Sequence, residues 1–297
     1  MPQNSPTFSI VIPTYNRAHL INKTIESMLR QEFQDFEILV VDDGSKDNTG
    51  EVIKTFTDSR IQYFRKENAE RGAARNYGAT RAKGTYINFF DSDDLMYANH
   101  LSEANKLIAS KDSPEFFHLG YDYKSVDGTV TARVDNFDDS VKTRVLFDNI
   151  LSCNGVFVRR DIAIQFPFEE DRVLASSEDW ELWIRLVSRY KLHYANAITS
   201  SVVNHDQRSL RTIEVQKIVA RDLFLIDRLK GDAAVMSNYG GTFDRFAAER
   251  YTFFMLCFAE QKKKSDVMKW GKRAFKTYPM IMLTKRFLSA VKNNIFK

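Results

Sequence analysis

Short unbroken apolar runs alternate along the first third of the chain with stretches whose apolar positions recur every three or four residues. Residues 8–13 (FSIVIP) and 36–43 (FEILVVDD) are rich in β-branched side chains and show no in–out alternation. Strands buried on both faces of a parallel sheet have this pattern. Between them Leu20, Ile21, Thr24, Ile25, Met28 and Leu29 fall on one helical face, so the segment reads as a strand–helix–strand unit. The alternation continues with a helix after Asp47, a strand over 61–64 (IQYF), a helix through 72–84 (GAARNYGATRAKG) and a strand over 85–90 (TYINFF). Repeated units of this kind predict an α/β fold built on an open, mostly parallel sheet with flanking helices.

Beyond residue 94 the pattern is mixed. It predicts a helix over 97–109, then two strands, EFFHLGYDY and GTVTARV, joined as a hairpin across Asp127-Gly128. A helix over 140–151, a strand at GVFVRR, a helix over 178–189 and strands over 192–204 follow. From Ile213 onward nearly everything reads as helix, a change of character that divides the chain into an expected domain of residues 1–210 and a helical, basic extension of residues 211–297.

Composition adds few constraints. Of 297 residues 43% are hydrophobic and 13% aromatic, enough for a packed core. The start, MPQNSPTFSIVIPTYN, lacks the basic and apolar blocks of a signal peptide, and no run of about 18 apolar residues is present. The expected location is cytoplasmic, with peripheral contact at the inner membrane face if the tail engages lipid. Cys153 and Cys257 sit among apolar neighbours without a second ligand-type residue nearby in sequence, which suits buried thiols better than a disulfide or zinc site.

Charge is unevenly spread. Residues 267–297 carry eight basic and no acidic side chains, leaving 35 basic against 39 acidic residues elsewhere, a net of −4. In the tail Met280, Leu283, Phe287, Leu288, Val291 and Ile295 share one helical face, with Lys285, Arg286 and Lys292 opposite. Such a helix either packs on its own domain with its lysines in water or lies on an anionic membrane surface. Nucleic acid fits poorly, because Trp270 and Phe275 are not spaced as a base-stacking platform.

Ligands of open α/β sheets bind beyond the carboxyl ends of the strands. Three polar clusters fall there: Thr14, Tyr15 and Asn16; Asp42 and Asp43; and Asp91, Asp93 and Asp94 around Ser92. Carboxylates so close together repel unless a cation or several donors compensate. Oxygen ligands of this kind can hold a divalent cation and, through it, a diphosphate. Tyr15 could stack on a base, Asp43 could accept from a base N–H, and Arg71 or Arg75 could meet negative charge or pair with a neighbouring carboxylate. No GxGxxG and no GxxxxGK[ST] is present, which disfavours a dinucleotide fold or a P-loop. A further acidic cluster, SSEDWELWIRL, sets Glu178 and Asp179 at a helix start, where the charged form of a carboxylate is favoured and a general base can act. Trp180 and Trp183 beside it read first as core and second as a sugar platform. His205, followed by a polar loop, could complete a metal site, touch a phosphate or be a satisfied loop histidine.

Four motifs in order, SIVIPTYNR, ILVVDDGSKDNT, GAARNYGATRAKGTYINFFDSDD and EDWELWIRL, resemble family 2 glycosyltransferases, inverting enzymes with a GT-A fold. The resemblance runs from about residue 8 to about residue 209. It implies a nucleotide-sugar donor, usually a UDP-sugar, with Mn²⁺ or Mg²⁺ bridging the diphosphate, and a saccharide or lipid-linked saccharide acceptor. By position, Asp91-Ser92-Asp93 resembles the DxD motif, with Asp93 as metal ligand and Asp91 nearer the ribose. Pro13, Tyr15 and Asp43 resemble base contacts, Asp179 the general base, and His205 a late histidine that some members use at the metal. Two other readings remain open: a sugar nucleotidyltransferase, which would carry a glycine-rich, arginine-containing loop where this chain has PTYNRAHL, and a catalytically degenerate nucleotide-sugar binding protein.

Overall fold

Strands β1 (Phe8–Thr14) and β2 (Phe36–Asp42) are buried along their whole length and pair in parallel from Phe8↔Phe36 to Thr14↔Asp42. The two unbroken apolar runs thus form the centre of a sheet covered on both faces. β3 (Ile61–Arg65) lies parallel to β2 on one side and β4 (Tyr86–Phe89) parallel to β1 on the other. Helices α1 (Ile21–Leu29), α2 (Thr49–Lys54) and α3 (Glu70–Ala79) carry the chain between these strands. α3 reaches β1 closely at Gly78, where an added Cβ would stand 2.4 Å from Val11 Cγ1.

This computed structural model describes residues 5–205 and 214–295. After β4 come β5 (Leu95–Met96), α4 (His100–Ser110), β6 (Phe116–Ser125), β7 (Val130–Val134), α5 (Val141–Phe147), β8 (Val156–Arg159), α6 (Arg160–Gln165), α7 (Glu178–Val187) and β9 (His193–Asn204). Among the described residues the sheet has nine strands in the order β3-β2-β1-β4-β8-β6-β9-β5, with β7 paired to β6. β8 runs antiparallel to both β4 and β6, while β9 runs parallel to β6. The parallel half is therefore the part with unbroken apolar runs, and the second half is mixed. One consequence fixes the site: the carboxyl ends of β1, β2, β4 and β9 and the amino end of β8 meet along one edge.

The predicted hairpin forms as β6 and β7, and the two strands expected over 192–204 are one. α5 stops at Phe147, short of the expected 151, because Asp148 is extended. The core beneath the sheet is aromatic: Phe157 meets the edge of Phe8 at 5.5 Å and stacks on Phe117 at 4.9 Å.

By contacts the chain divides into two compact units, Met1–Arg208 and Ser209–Lys297. The second consists of α8 (Val215–Lys230), α9 (Ala233–Glu260), α10 (Lys264–Thr277), a 3₁₀ turn (Pro279–Leu283) and α11 (Lys285–Ile295). Asp232 caps α9 by accepting from the N–H groups of Ala234 and Val235. Trp270 of α10 packs on Tyr251 and Phe254 of α9, at 5.8 and 4.9 Å between rings. Among the described residues no helix is long and apolar enough to cross a membrane.

Candidate active site

The loop after β1 is tied to the loop after β2 by backbone donors. Asn16, in the left-handed region at φ 52°, donates its N–H to Ser45 Oγ, and Arg17 donates its own to Thr49 Oγ1. Asn16 Oδ1 accepts from the Lys46 N–H at 2.7 Å. Pro13 is buried within β1, while Tyr15 stands 39% exposed just beyond it, an aromatic face open to a ligand.

The paired carboxylates after β2 have separate tasks. Asp42 accepts from the Ser45 N–H and from Tyr63 Oη, both at 2.7 Å, and so closes the turn. Asp43 accepts from Lys66 Nζ at 2.8 Å, from Asn68 Nδ2 and from the Ala69 N–H. Both Asp43 oxygens are engaged, so a base N–H would be accepted beside these donors or in place of one.

The carboxylates after β4 are also distinct, although ligand atoms of Asp91, Asp93 and Asp94 lie within 4.8 Å of one another. Asp94 is fully buried and structural: its oxygens accept from Asn154 Nδ2 and the Val203 N–H, both at 2.8 Å, joining β4 to the starts and ends of β8 and β9. Asp93 faces the crevice, 2.9 Å from His205 Nε2 and 3.5 Å from Arg17 Nε. Asp91 accepts from Arg75 at 2.9 Å and receives its backbone position from Asn154 Oδ1. Ser92 is buried, and its carbonyl accepts from Thr24 Oγ1. Carboxylate oxygens with one imidazole are a donor set that suits Mn²⁺ and, with less help from the imidazole, Mg²⁺. The residues present fit such an ion.

Arg75 links this cluster to the start of α7. It is 1% exposed, and its guanidinium spans Asp91 Oδ1 (2.9 Å) and Glu178 Oε1 (2.8 Å) over the ring of Phe168. Its guanidinium is thus shared between two protein carboxylates. α3 comes close enough for this because Gly72 has no side chain: a Cβ there would stand 2.5 Å from the Glu169 carbonyl oxygen.

Asp179, at the first turn of α7, is half-buried. Asn149 Nδ2 donates to both its oxygens at 3.2 Å, and the Cys153 thiol lies 3.8 Å from Oδ2. Burial, together with the Glu178 charge, raises the Asp179 carboxyl above the ordinary range, with Arg75 and Asn149 pulling the other way. Burial likewise keeps the Cys153 thiol protonated. Trp183 is fully buried and Trp180, whose indole N–H donates to the Val145 carbonyl, is nearly so, which places both in the core.

The structure thus brings Tyr15, Asp43, Asp91, Ser92, Asp93, Asp179, Arg75 and His205 to one edge of the sheet, with Pro13 in the strand beneath. Sequence reasoning missed Arg17, Lys66, Asn149 and Asn154. Arg17 and Lys66 could have been found as cations three residues and one residue past strand ends; the two asparagines carry no local signal. Cys153, read only as a buried thiol, is a direct neighbour of Asp179.

The family description "Glycosyl transferase family 2" matches residues 9–158. An uncharacterized glycosyltransferase of Rickettsia bellii (strain RML369-C) is 33% identical over 184 residues, 61% of this chain and 26% of that protein. The Escherichia coli protein named UDP-Glc:alpha-D-GlcNAc-diphosphoundecaprenol beta-1,3-glucosyltransferase WfgD is 33% identical over 184 residues, covering 60% of this chain and 69% of WfgD. The chain spans between 26% and 42% of the length of five curated relatives, the Rickettsia bellii protein among them. Among solved structures, residues 1–349 of S. aureus TarS in complex with UDP-GlcNAc superimpose with a TM-score of 0.69 at 18% identity, covering 98% of this chain and 88% of that one. That likeness shows a shared fold, of the GT-A type. On the extent of the family match and the relation to WfgD, the chain belongs to glycosyl transferase family 2.

Proposed function

We propose that this chain transfers a sugar from a UDP-sugar to a hydroxyl of a lipid-linked saccharide, with inversion and with a divalent cation, while peripherally attached to an anionic membrane face. The observation that carries the reading is the Arg75 bridge, which sets the Asp91–Asp93 cluster and the Asp179 helix start against one another in one crevice. WfgD supports it by its name, which specifies UDP-Glc as donor and a diphosphoundecaprenol-linked GlcNAc as acceptor, and TarS by its complex with UDP-GlcNAc.

In this reading Tyr15 stacks on the base and Asp43 accepts from its ring N–H. Asp91 orients the ribose side of the donor, and Asp93 with His205 holds the cation. Bound there, a divalent cation supplies Lewis-acid stabilisation of charge on the leaving diphosphate. Asp179 takes the proton of the acceptor hydroxyl as that oxygen attacks the anomeric carbon opposite the departing nucleotide, and one displacement inverts the centre. Its raised pKa makes it a stronger base than an ordinary aspartate, and Asn149 orients it. Holding donor and acceptor together provides much of the remaining rate.

Calorimetric titration of UDP, with GDP as comparator, tests the donor site with and without Mn²⁺. UDP binding should require Mn²⁺, exceed GDP binding and weaken at least about tenfold in Asp93→Ala, the loss expected for one charged ligand. Failure of the folded protein to bind either nucleotide overturns the donor assignment. Tight binding without turnover of any acceptor overturns the enzymatic one.

A further inference from the structure

We propose that residues 268–292 present the docking face by which the chain sits on an anionic lipid bilayer. This names the surface for the membrane attachment proposed above and rests on that reading. Six of the eleven exposed large apolar side chains among the described residues fall within residues 268–288. On α10, Val267, Trp270 and Ala274 point into the helical unit, while Met268 (54% exposed) and Phe275 (45%) point out with Lys272 between them. Residues three and four apart share a helix face, so Met268, Lys272 and Phe275 form one stripe. The 3₁₀ turn buries only Ile281 and leaves Met280 and Leu283 57% and 72% exposed.

α11 repeats the arrangement. The face that reads as uniformly amphipathic in sequence divides in two: Phe287 and Ala290 pack inward, whereas Leu288 is 57% exposed between Lys285 and Lys292. Both outward faces interleave a large apolar side chain with lysines. At a bilayer boundary the apolar groups enter the acyl edge while lysine stems lie along it and their ammonium groups reach the headgroups.

Charge selects the occupant. No acidic residue follows Asp266, so a second copy of this face would meet like charge, whereas anionic headgroups would be attracted by each nearby lysine. Nucleic acid would be attracted too, but Trp270 is buried and Phe275 is the one aromatic ring on the outward stripe of α10, too little for a stacking platform.

The test is co-sedimentation of the full chain with vesicles of phosphatidylcholine alone or mixed with phosphatidylglycerol. Binding should rise at least about tenfold on the mixed vesicles. The variant Leu283→Glu/Leu288→Glu should fall back to the neutral-vesicle level with an unchanged circular dichroism spectrum. Equal binding to both vesicle types, or undiminished binding by the folded variant, overturns the proposal. So does light scattering that shows a stable dimer broken by the same substitutions, or oligonucleotide binding, when vesicle binding is absent. UDP titration of the variant should match the parent chain, so failure here leaves the donor site standing and failure there leaves the bilayer result standing.

Discussion

Glu178 and Asp179 are adjacent in sequence and opposite in role. Glu178 is buried against Arg75, while Asp179 looks toward Asn149 and Cys153 and, among the described residues, forms no ion pair. Because the Asp179 carboxyl is raised by burial and by the Glu178 charge, the base should protonate, and turnover should fall, at a higher pH than an ordinary aspartate would allow. Removing that neighbouring charge lowers the pKa, so Glu178→Gln should shift the acid limb of the kcat profile to lower pH. A pH–rate series on both proteins checks this, and an unmoved limb argues against Asp179 as the titrating base. The carboxylates were legible in the sequence because each follows an apolar run or opens a helix, where a charge needs a reason. Their partners were not: Asn154 reaches Asp91 across 63 positions and His205 reaches Asp93 across 112, separations that no local pattern encodes.

At the scale of elements, β1, β2 and β4 were readable because burial on both faces removes polar residues and leaves an unmistakable run. The antiparallel insertion of β8 was not, since four residues, Val156–Arg159, look alike in either direction. Boundaries set by backbone geometry also escaped, as at Asp148. In the helical unit the decisive contact is ionic. Asp222, fully buried on α8, is held by Arg221 Nε at 3.0 Å and by Arg250 of α9 through Nε at 2.7 Å. Removing it takes away the buried carboxylate that both arginines share, so Asp222→Ala should destabilise this unit by about 3 kcal/mol, measured by urea denaturation with helical ellipticity as the probe.

For the molecule as a whole, acid sensitivity should begin earlier than carboxylate chemistry alone would predict. Burial pushes the imidazoles of His100 and His118 down to about 3. The unfolded chain takes up these protons first, so stability is full above about pH 6.5 and declines as pH falls from there toward about 3. Each histidine should cost up to about 2 kcal/mol between pH 6.5 and 5. Denaturation at both pH values should show the loss, and His100→Gln should remove about half of it. These histidines lie in the unit Met1–Arg208, whereas the Asp222 cluster lies in Ser209–Lys297. Two cores, each closed within its own stretch of chain, make unfolding a process with two populations to follow. A calorimetric trace of this protein therefore calls for a two-transition fit. Acid should displace the transition of the sheet unit and Asp222→Ala that of the helical one, giving each peak an independent label.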